Sequence, residues 1–174
     1  TRNAISHGMR AFFEHPDQWE LFKRERPLET AVDEILRWAT PVIEFQRTAK
    51  QDHVLGGQQI RAGERVVLYC PSANRDHAVI EDPERFDITR TDNDHVAFGG
   101  GGPHFCLGAQ LARAEIRLVL DTIADRMPGI ATADWGKTLA WLRARTGAEL
   151  AAEQEQAVRL IRGNGPINRQ LPAP

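Results

Sequence analysis

Apolar positions in residues 1–13 recur with a helical period: Ile5, Met9, Phe12 and Phe13 fall on one face. No capping residue precedes this predicted helix, so it reads as a helix already in progress. His15-Pro16-Asp17 starts a second, short helix reaching about Arg24, with proline in its first turn. A third is predicted over residues 27–39. Leu28, Ala31, Val32, Ile35, Leu36 and Ala39 form its apolar face, and Pro41 ends it. The period then shortens to two. Residues 42–48 alternate as a strand, and Val54 to Ile60 reads as a strand and turn around Gly56-Gly57. A second turn at Arg61-Ala62-Gly63-Glu64 leads into a strand over residues 65–69. Residues 71–97 carry Pro71, Pro83 and many Asp and Asn, with weak periodicity. They read as one long loop, and a loop of that length in a compact domain is usually functional. Residues 98–106 are dense in glycine. A strong helix is predicted over residues 107–127, with Leu111, Ala114, Leu118 and Ile123 near the helical period and Pro128-Gly129 after it. Past Ile130 the pattern weakens. Trp135, Leu139 and Leu142 suggest an amphipathic helix, residues 149–161 another, and residues 163–174 an irregular tail. The fold class expected from this order is mainly α with a small β-sheet.

Composition narrows the partners. With a net charge of -2 over 174 residues and no basic stripe, nothing calls for nucleic acid. Two distant cysteines, Cys70 and Cys106, match neither zinc spacing nor a disulfide framework, which suits a reducing, cytoplasmic setting. No apolar run approaches the roughly 20 residues that span a bilayer. His7, His15, His53, His77 and His95 share no metal-ligand spacing.

The chemistry concentrates in Phe98-Gly99-Gly100-Gly101-Gly102-Pro103-His104-Phe105-Cys106-Leu107-Gly108, which runs straight into a helix. Consecutive glycines let backbone approach a flat partner and adopt positive φ. Cys106 lies at the helix N-terminus, where free amides and the helix dipole favour negative charge, and a thiolate is a soft ligand suited to iron. A phosphate-binding loop is excluded, because the lysine and Ser/Thr of a P-loop are missing. Alone, Cys106 reads first as an inert, small buried packing residue, and only the full string reverses that. Earlier in the chain, Glu34 and Arg37 stand three apart on one helix face, which by itself is the spacing of an ordinary surface ion pair.

The full string resembles the haem-binding loop of cytochromes P-450, F-x-x-G-x-[RH]-x-C-x-G. The resemblance implies that Cys106 is the axial thiolate of haem b and that His104 contacts a propionate. It also implies that Phe98 packs by the thiolate and that Gly101 and Gly108 admit the porphyrin. Phe98 stands eight residues before Cys106 where the common pattern has seven. A longer loop of this kind resembles actinobacterial members that oxidise sterols and methyl-branched lipids. Glu34-x-x-Arg37 resembles the family's structural motif, whose third partner is an arginine before the cysteine loop. Pro83-Glu84-Arg85-Phe86 supplies Arg85 for that place, so Glu34, Arg37 and Arg85 are expected to lock the 71–97 loop to the helices. Arg47 matches a propionate-pairing position, or else is a surface arginine of an edge strand. Residues 42–45 would line the substrate pocket, or form strand core. Asn74-Arg75-Asp76 is expected to be a structural turn and Cys70 a packing residue.

Thr1-Arg2-Asn3 resembles the end of the family's oxygen-binding helix motif. Residues 1–130 are therefore expected to be the C-terminal part of a P-450 domain, and residues 131–174 an atypical C-terminal segment. The implied activity is insertion of one oxygen atom of O2 into a C–H bond of a small hydrophobic substrate, with electrons from a ferredoxin or reductase. Alternatives are a truncated, non-catalytic remnant with at most haem binding, and a helical interaction module. On its own, this chain is expected to fall short of a working monooxygenase.

Overall fold

The structure is a computed structural model that describes residues 1–130. The three expected N-terminal helices form: α1 (Arg2–Glu14), α2 (Pro16–Glu25) and α3 (Leu28–Ala39). Pro16 occupies the first turn of α2, where its missing N–H costs nothing, and Asp17 complements the helix dipole. The helices α2 and α3 end on Arg26 and Thr40, both with positive φ. Gly8 is needed where α1 crosses α3, because a Cβ there would meet Ile35 Cγ2 at 2.7 Å. Around that crossing Phe12, Trp19, Phe22 and Phe86 bury completely or nearly so, with ring centroids 5.1 Å apart for Phe12 and Trp19 and 5.7 Å for Phe12 and Phe86. Edge-on and tilted ring contacts at that spacing add to the burial of large apolar area.

Two antiparallel ribbons follow. Strand β1 (Glu44–Thr48) pairs with β4 (Arg65–Tyr69), Glu44 opposite Tyr69 and Thr48 opposite Arg65. Between them β2 (His53–Leu55) and β3 (Gln58–Ile60) make a tight hairpin, turning on Gly56 and Gly57 at φ +55° and +79°. All of β1 is exposed, including Phe45, and so are Val67, Leu68 and Tyr69 on β4. Residues 42–45 are therefore not strand core among the described residues.

The loop after β4 holds one short helix, α4 (Cys70–Ala73), in which Cys70 is buried as a packing residue. The last described helix, α5 (Ala109–Arg126), runs antiparallel to α3. Arg26 bonds Asp121 and Asp125, Arg117 meets Glu29, and Arg113 bonds Asp33 at 2.8 Å, so ion pairs ladder along the two helices. The face that α5 buries differs from the expected one. Ala109, Ile116, Leu120 and Ala124 are buried, while Leu111 and Leu118 are exposed. The helix is apolar on two sides, so its period identifies a helix but not which side packs. The helices expected near residues 135–142 and 149–161, and the tail beyond, lie outside the described residues.

Candidate functional site

The irregular loop between α4 and α5 is held by one buried pair. Glu34 and Arg37 on α3 are both fully buried, and Arg37 Nε and Nη2 donate to the two carboxylate oxygens of Glu34, each at 2.8 Å. The remaining donors of Arg37 reach backbone: Nη1 bonds the carbonyls of Asn74 at 3.0 Å and Pro83 at 2.8 Å, and Nη2 that of Arg85 at 3.2 Å. Glu34 also accepts from the Asp87 amide at 2.9 Å and from Asn93 Nδ2 at 3.1 Å. A bidentate pair with every remaining donor placed is the condition under which a buried ion pair is tolerated. Asn74, also fully buried, extends the network, bonding Thr40 Oγ1 at 2.9 Å and accepting from the Val96 amide at 2.8 Å. The Asn74 turn is thus structural, and the long loop is ordered because its carbonyls and amides satisfy buried side chains.

The second arginine on Glu34 is Arg90, not Arg85. Arg90 Nε lies 3.3 Å from Glu34 Oε2, and its terminal nitrogens donate to the carbonyls of Glu81, Asp82 and Arg85. The Arg85 side chain points to solvent, 3.5 Å from Asp87. Arg85 contributes its carbonyl, which accepts from both Arg37 and Arg90. Pro83 turns the chain so that residue 85 presents backbone to the pair, and Phe86 goes to the core. Asp87 lies between: burial opposes its charge, but hydrogen bonds from Thr89 and the nearby charges of Arg85 and Arg90 hold its carboxyl below the usual range.

The cysteine loop is built differently. Gly99, Gly101 and Gly102 have φ of +97°, +92° and +78°, and a Cβ on any of residues 99–102 would meet nothing within 4 Å. The loop closes through the Cys106 amide, which donates to the Phe98 carbonyl at 3.0 Å. Cys106 is a free, exposed cysteine two residues before Gly108, the N-cap of α5. His104 is exposed, as are Phe105, Leu107 and Leu111, so the thiol lies on a bare apolar face. Arg47 is exposed on β1; its hydrogen bond to the Gln46 carbonyl and its contact with the Phe45 ring are local. The structure thus brings Phe98 and Cys106 together, and Glu34 and Arg37, while Arg47 and His104 are exposed at the surface.

A family model described as Cytochrome P450 matches residues 10–126. The chain belongs to the cytochrome P450 family. The steroid C26-monooxygenase of Rhodococcus jostii is 63% identical over 130 residues, 75% of this chain and 27% of the relative. The methyl-branched lipid omega-hydroxylase of Mycobacterium tuberculosis H37Rv is 48% identical over 134 residues, 75% of this chain and 31% of the relative. Among solved structures, a Mycobacterium marinum cytochrome P450 in complex with pseudoionone is similar at TM-score 0.71 and 48% identity, covering 73% of this chain and 31% of that one. A Bacillus megaterium P450 in complex with testosterone is similar at TM-score 0.70 and 43% identity, covering 72% and 35%. This P450 chain therefore spans less than a third of the length of those curated relatives.

Family membership implies haem, and the residues present fit it. A flat apolar group needs backbone without side chains, a soft donor and apolar flanks, and its carboxylates need cations. The open glycines, the exposed thiol and the exposed Phe105, Leu107 and Leu111 supply the first three, and the Arg47 guanidinium is an exposed cation, with His104 exposed as a ring that can hydrogen-bond. Among the described residues no cluster of three His, Cys, Asp or Glu could hold a metal ion by side chains alone, and no helix is long and apolar enough to cross a membrane. Four residues of the network escaped sequence reasoning: Arg90, Asn93, Asp33 and His95. The side-chain partners of Asn93, His95 and Asp33 lie 59 to 80 residues away, and Arg90 reaches back from the loop to Glu34 on α3, so no local spacing marks them.

Proposed function

We propose that this chain forms the proximal haem side of a P450 monooxygenase acting on a hydrophobic substrate of the sterol or methyl-branched-lipid class. Cys106 ligates the iron of haem b, Phe98 packs beside the sulfur, and Gly101 and Gly108 leave room for the ring. His104 and Arg47 meet the propionates. Glu34 and Arg37, joined by Arg90, fix the loop behind this site. When bound, haem with its thiolate would supply the chemistry: one atom of O2 enters a C–H bond and the other leaves as water, using two electrons from a ferredoxin or reductase and two protons from solvent. The observation that carries the reading is the exposed Cys106, tied to Phe98 behind a glycine run with open space on its side-chain face. The substrate class rests on the two curated relatives named for steroids and methyl-branched lipids.

The test is a graft of residues 1–130 in place of the matching segment of the Rhodococcus steroid C26-monooxygenase. Its reduced carbon monoxide complex should show the red-shifted Soret band of a thiolate ligand, and Cys106→Ala should abolish it. Persistence of the band in that variant would remove Cys106 from the ligand role. Sterols and branched lipids should drive a high-spin shift; a shift only with small polar molecules would reject the substrate class.

For the 174 residues alone we propose a second reading, haem binding without turnover. It is favoured by the apolar side chains of Leu107, just before α5, and of Leu111 and Leu118 on it, all of which are exposed. Substrate-coupled NADPH consumption by the isolated chain with surrogate redox partners would overturn it.

A further inference from the structure

We propose that Asp33, His95 and Arg113 form a positioning network that holds Phe98, and through the Phe98 carbonyl sets the backbone of Cys106. The proposal rests on the reading of Cys106 as the iron ligand. Asp33 sits beside Glu34 on α3 but faces the other way, towards α5 and the cysteine loop. Its Oδ1 accepts from Arg113 Nε at 2.8 Å and lies 3.4 Å from His95 Nε2. The His95 side chain is almost wholly buried, and its Nδ1 accepts from the Ala97 amide at 3.2 Å. That bond leaves Nδ1 bare of hydrogen, so the ring's proton is on Nε2, directed at Asp33. Both cationic and aromatic ends of the network then converge on one ring. The Arg113 guanidinium stands 4.7 Å over the Phe98 centroid, and the His95 ring lies 6.0 Å from it. Phe98 is thereby in contact with α5 through Arg113 and with the preceding loop through His95, and its carbonyl receives the Cys106 amide.

The physical consequence is a division of labour along α3. Glu34 pins the loop that precedes the site, and Asp33 pins the residue that receives the ligand's own amide. The glycines have no side chains to pack, and a Cβ at any of residues 99–102 would meet nothing within 4 Å. The bond that ties the Cys106 amide across the loop ends on the Phe98 carbonyl. Burial works against the Asp33 charge, yet the hydrogen bonds from His95 and Arg113 and the Arg113 charge outweigh it and keep the carboxyl below its usual range. The group is therefore present as a carboxylate that can orient both partners.

Hydrogen exchange on the full chain, with and without haem, tests this. Asp33→Asn and His95→Leu should speed exchange of the Cys106 amide about tenfold through local opening, while the amides of α1 keep their protection. Asp33→Glu should restore most of that protection. In the haem-loaded protein the same two variants should convert part of the reduced carbon monoxide complex from the thiolate-type Soret band to the unshifted type that lacks thiolate, and Asp33→Glu should keep the thiolate-type band. Unchanged exchange at Cys106, or acceleration spread equally over α1, would overturn the proposal, the second because it marks general loss of structure. If wild type itself gives no thiolate-type band, the ligand reading has failed, and the exchange pattern alone still decides whether the network holds the loop.

Discussion

The two loops that flank this site are stabilised in opposite ways. The loop from Asn74 to Val96 is irregular but locked, because Arg37, Glu34 and Asn74 are wholly buried and bond its backbone at many points. The loop from Phe98 to Cys106 is glycine-rich and open, closed by its end-to-end hydrogen bond. Irregular backbone can be rigid when its polar groups are satisfied internally, and bare when a partner is meant to lie on it. The difference predicts where substitutions damage folding and where they damage only binding.

The largest effect should come from breaking the locked side. Glu34→Ala leaves Arg37 and Arg90 facing each other without an anion and strands the Asp87 amide, so it should cost about 3–5 kcal/mol, as removal of one partner of a buried pair does. Urea denaturation of the full chain measures this. A loss below about 1 kcal/mol would mean that the pair behaves like an exposed one. The open side should respond weakly to the same kind of change: Leu118→Ala on the bare face of α5 should alter stability by no more than about 0.5 kcal/mol, as surface substitutions do. Ile116→Ala, two residues earlier on the buried face, should cost about 2–5 kcal/mol. Equal losses at both would erase the distinction between the two sides of that helix.

Much of this layout is visible in the sequence, and the exceptions have physical reasons. Helices α1 to α3, the β2–β3 hairpin and β4 follow from apolar period and turn residues, and each forms close to its expected bounds. The Phe98 to Gly108 string carries the family resemblance, and the family match agrees with it. The burial of α5 was not legible, since Leu111 and Leu118 are as apolar as Ile116 and Leu120. Only the packing partner, α3, selects the face. The choice of Arg90 over Arg85 was not legible either. Both arginines follow Pro83 closely, and the turn that sends the Arg85 carbonyl inward and its side chain outward is set by contacts with Arg37, far away in sequence.

That choice is itself testable, at the next smaller scale. Arg90→Ala removes a nearly buried guanidinium next to Glu34 together with its bonds to three carbonyls, of which Asp82 and Arg85 keep another donor, and should cost about 1.5–3 kcal/mol, the range for hydrogen bonds to charged groups. Arg85→Ala keeps the carbonyl that matters and trims an exposed side chain, and should stay within about 0.5 kcal/mol. The reverse ranking would return Arg85 to the triad.

The smallest effect is expected from acid, and it separates the two loops by titration. Asp87 belongs to the locked loop, and Asp33 anchors the open one. Both carboxyls are held below the ordinary aspartate value of about 4 in the folded chain. A folded-state value below the unfolded one means that the unfolded chain binds protons first as pH falls. Each aspartate therefore adds stability that is fully present above about pH 4 and is lost as pH falls through the folded value. Asp33 is about a third exposed, so solvent screening keeps its share small. Melting temperature should be flat with respect to these two groups from neutral pH down to about 5, then decline. Asp33→Asn should flatten part of that decline without moving its onset, and Asp87→Asn another part. Only Asp33→Asn should also speed exchange at Cys106, because Asp33 bonds the Arg113 and His95 side chains that contact Phe98, whereas Asp87 bonds Thr89 and lies beside Arg85. Equal acceleration by both variants would show that the two loops loosen as one unit and that the contrast between them is not real.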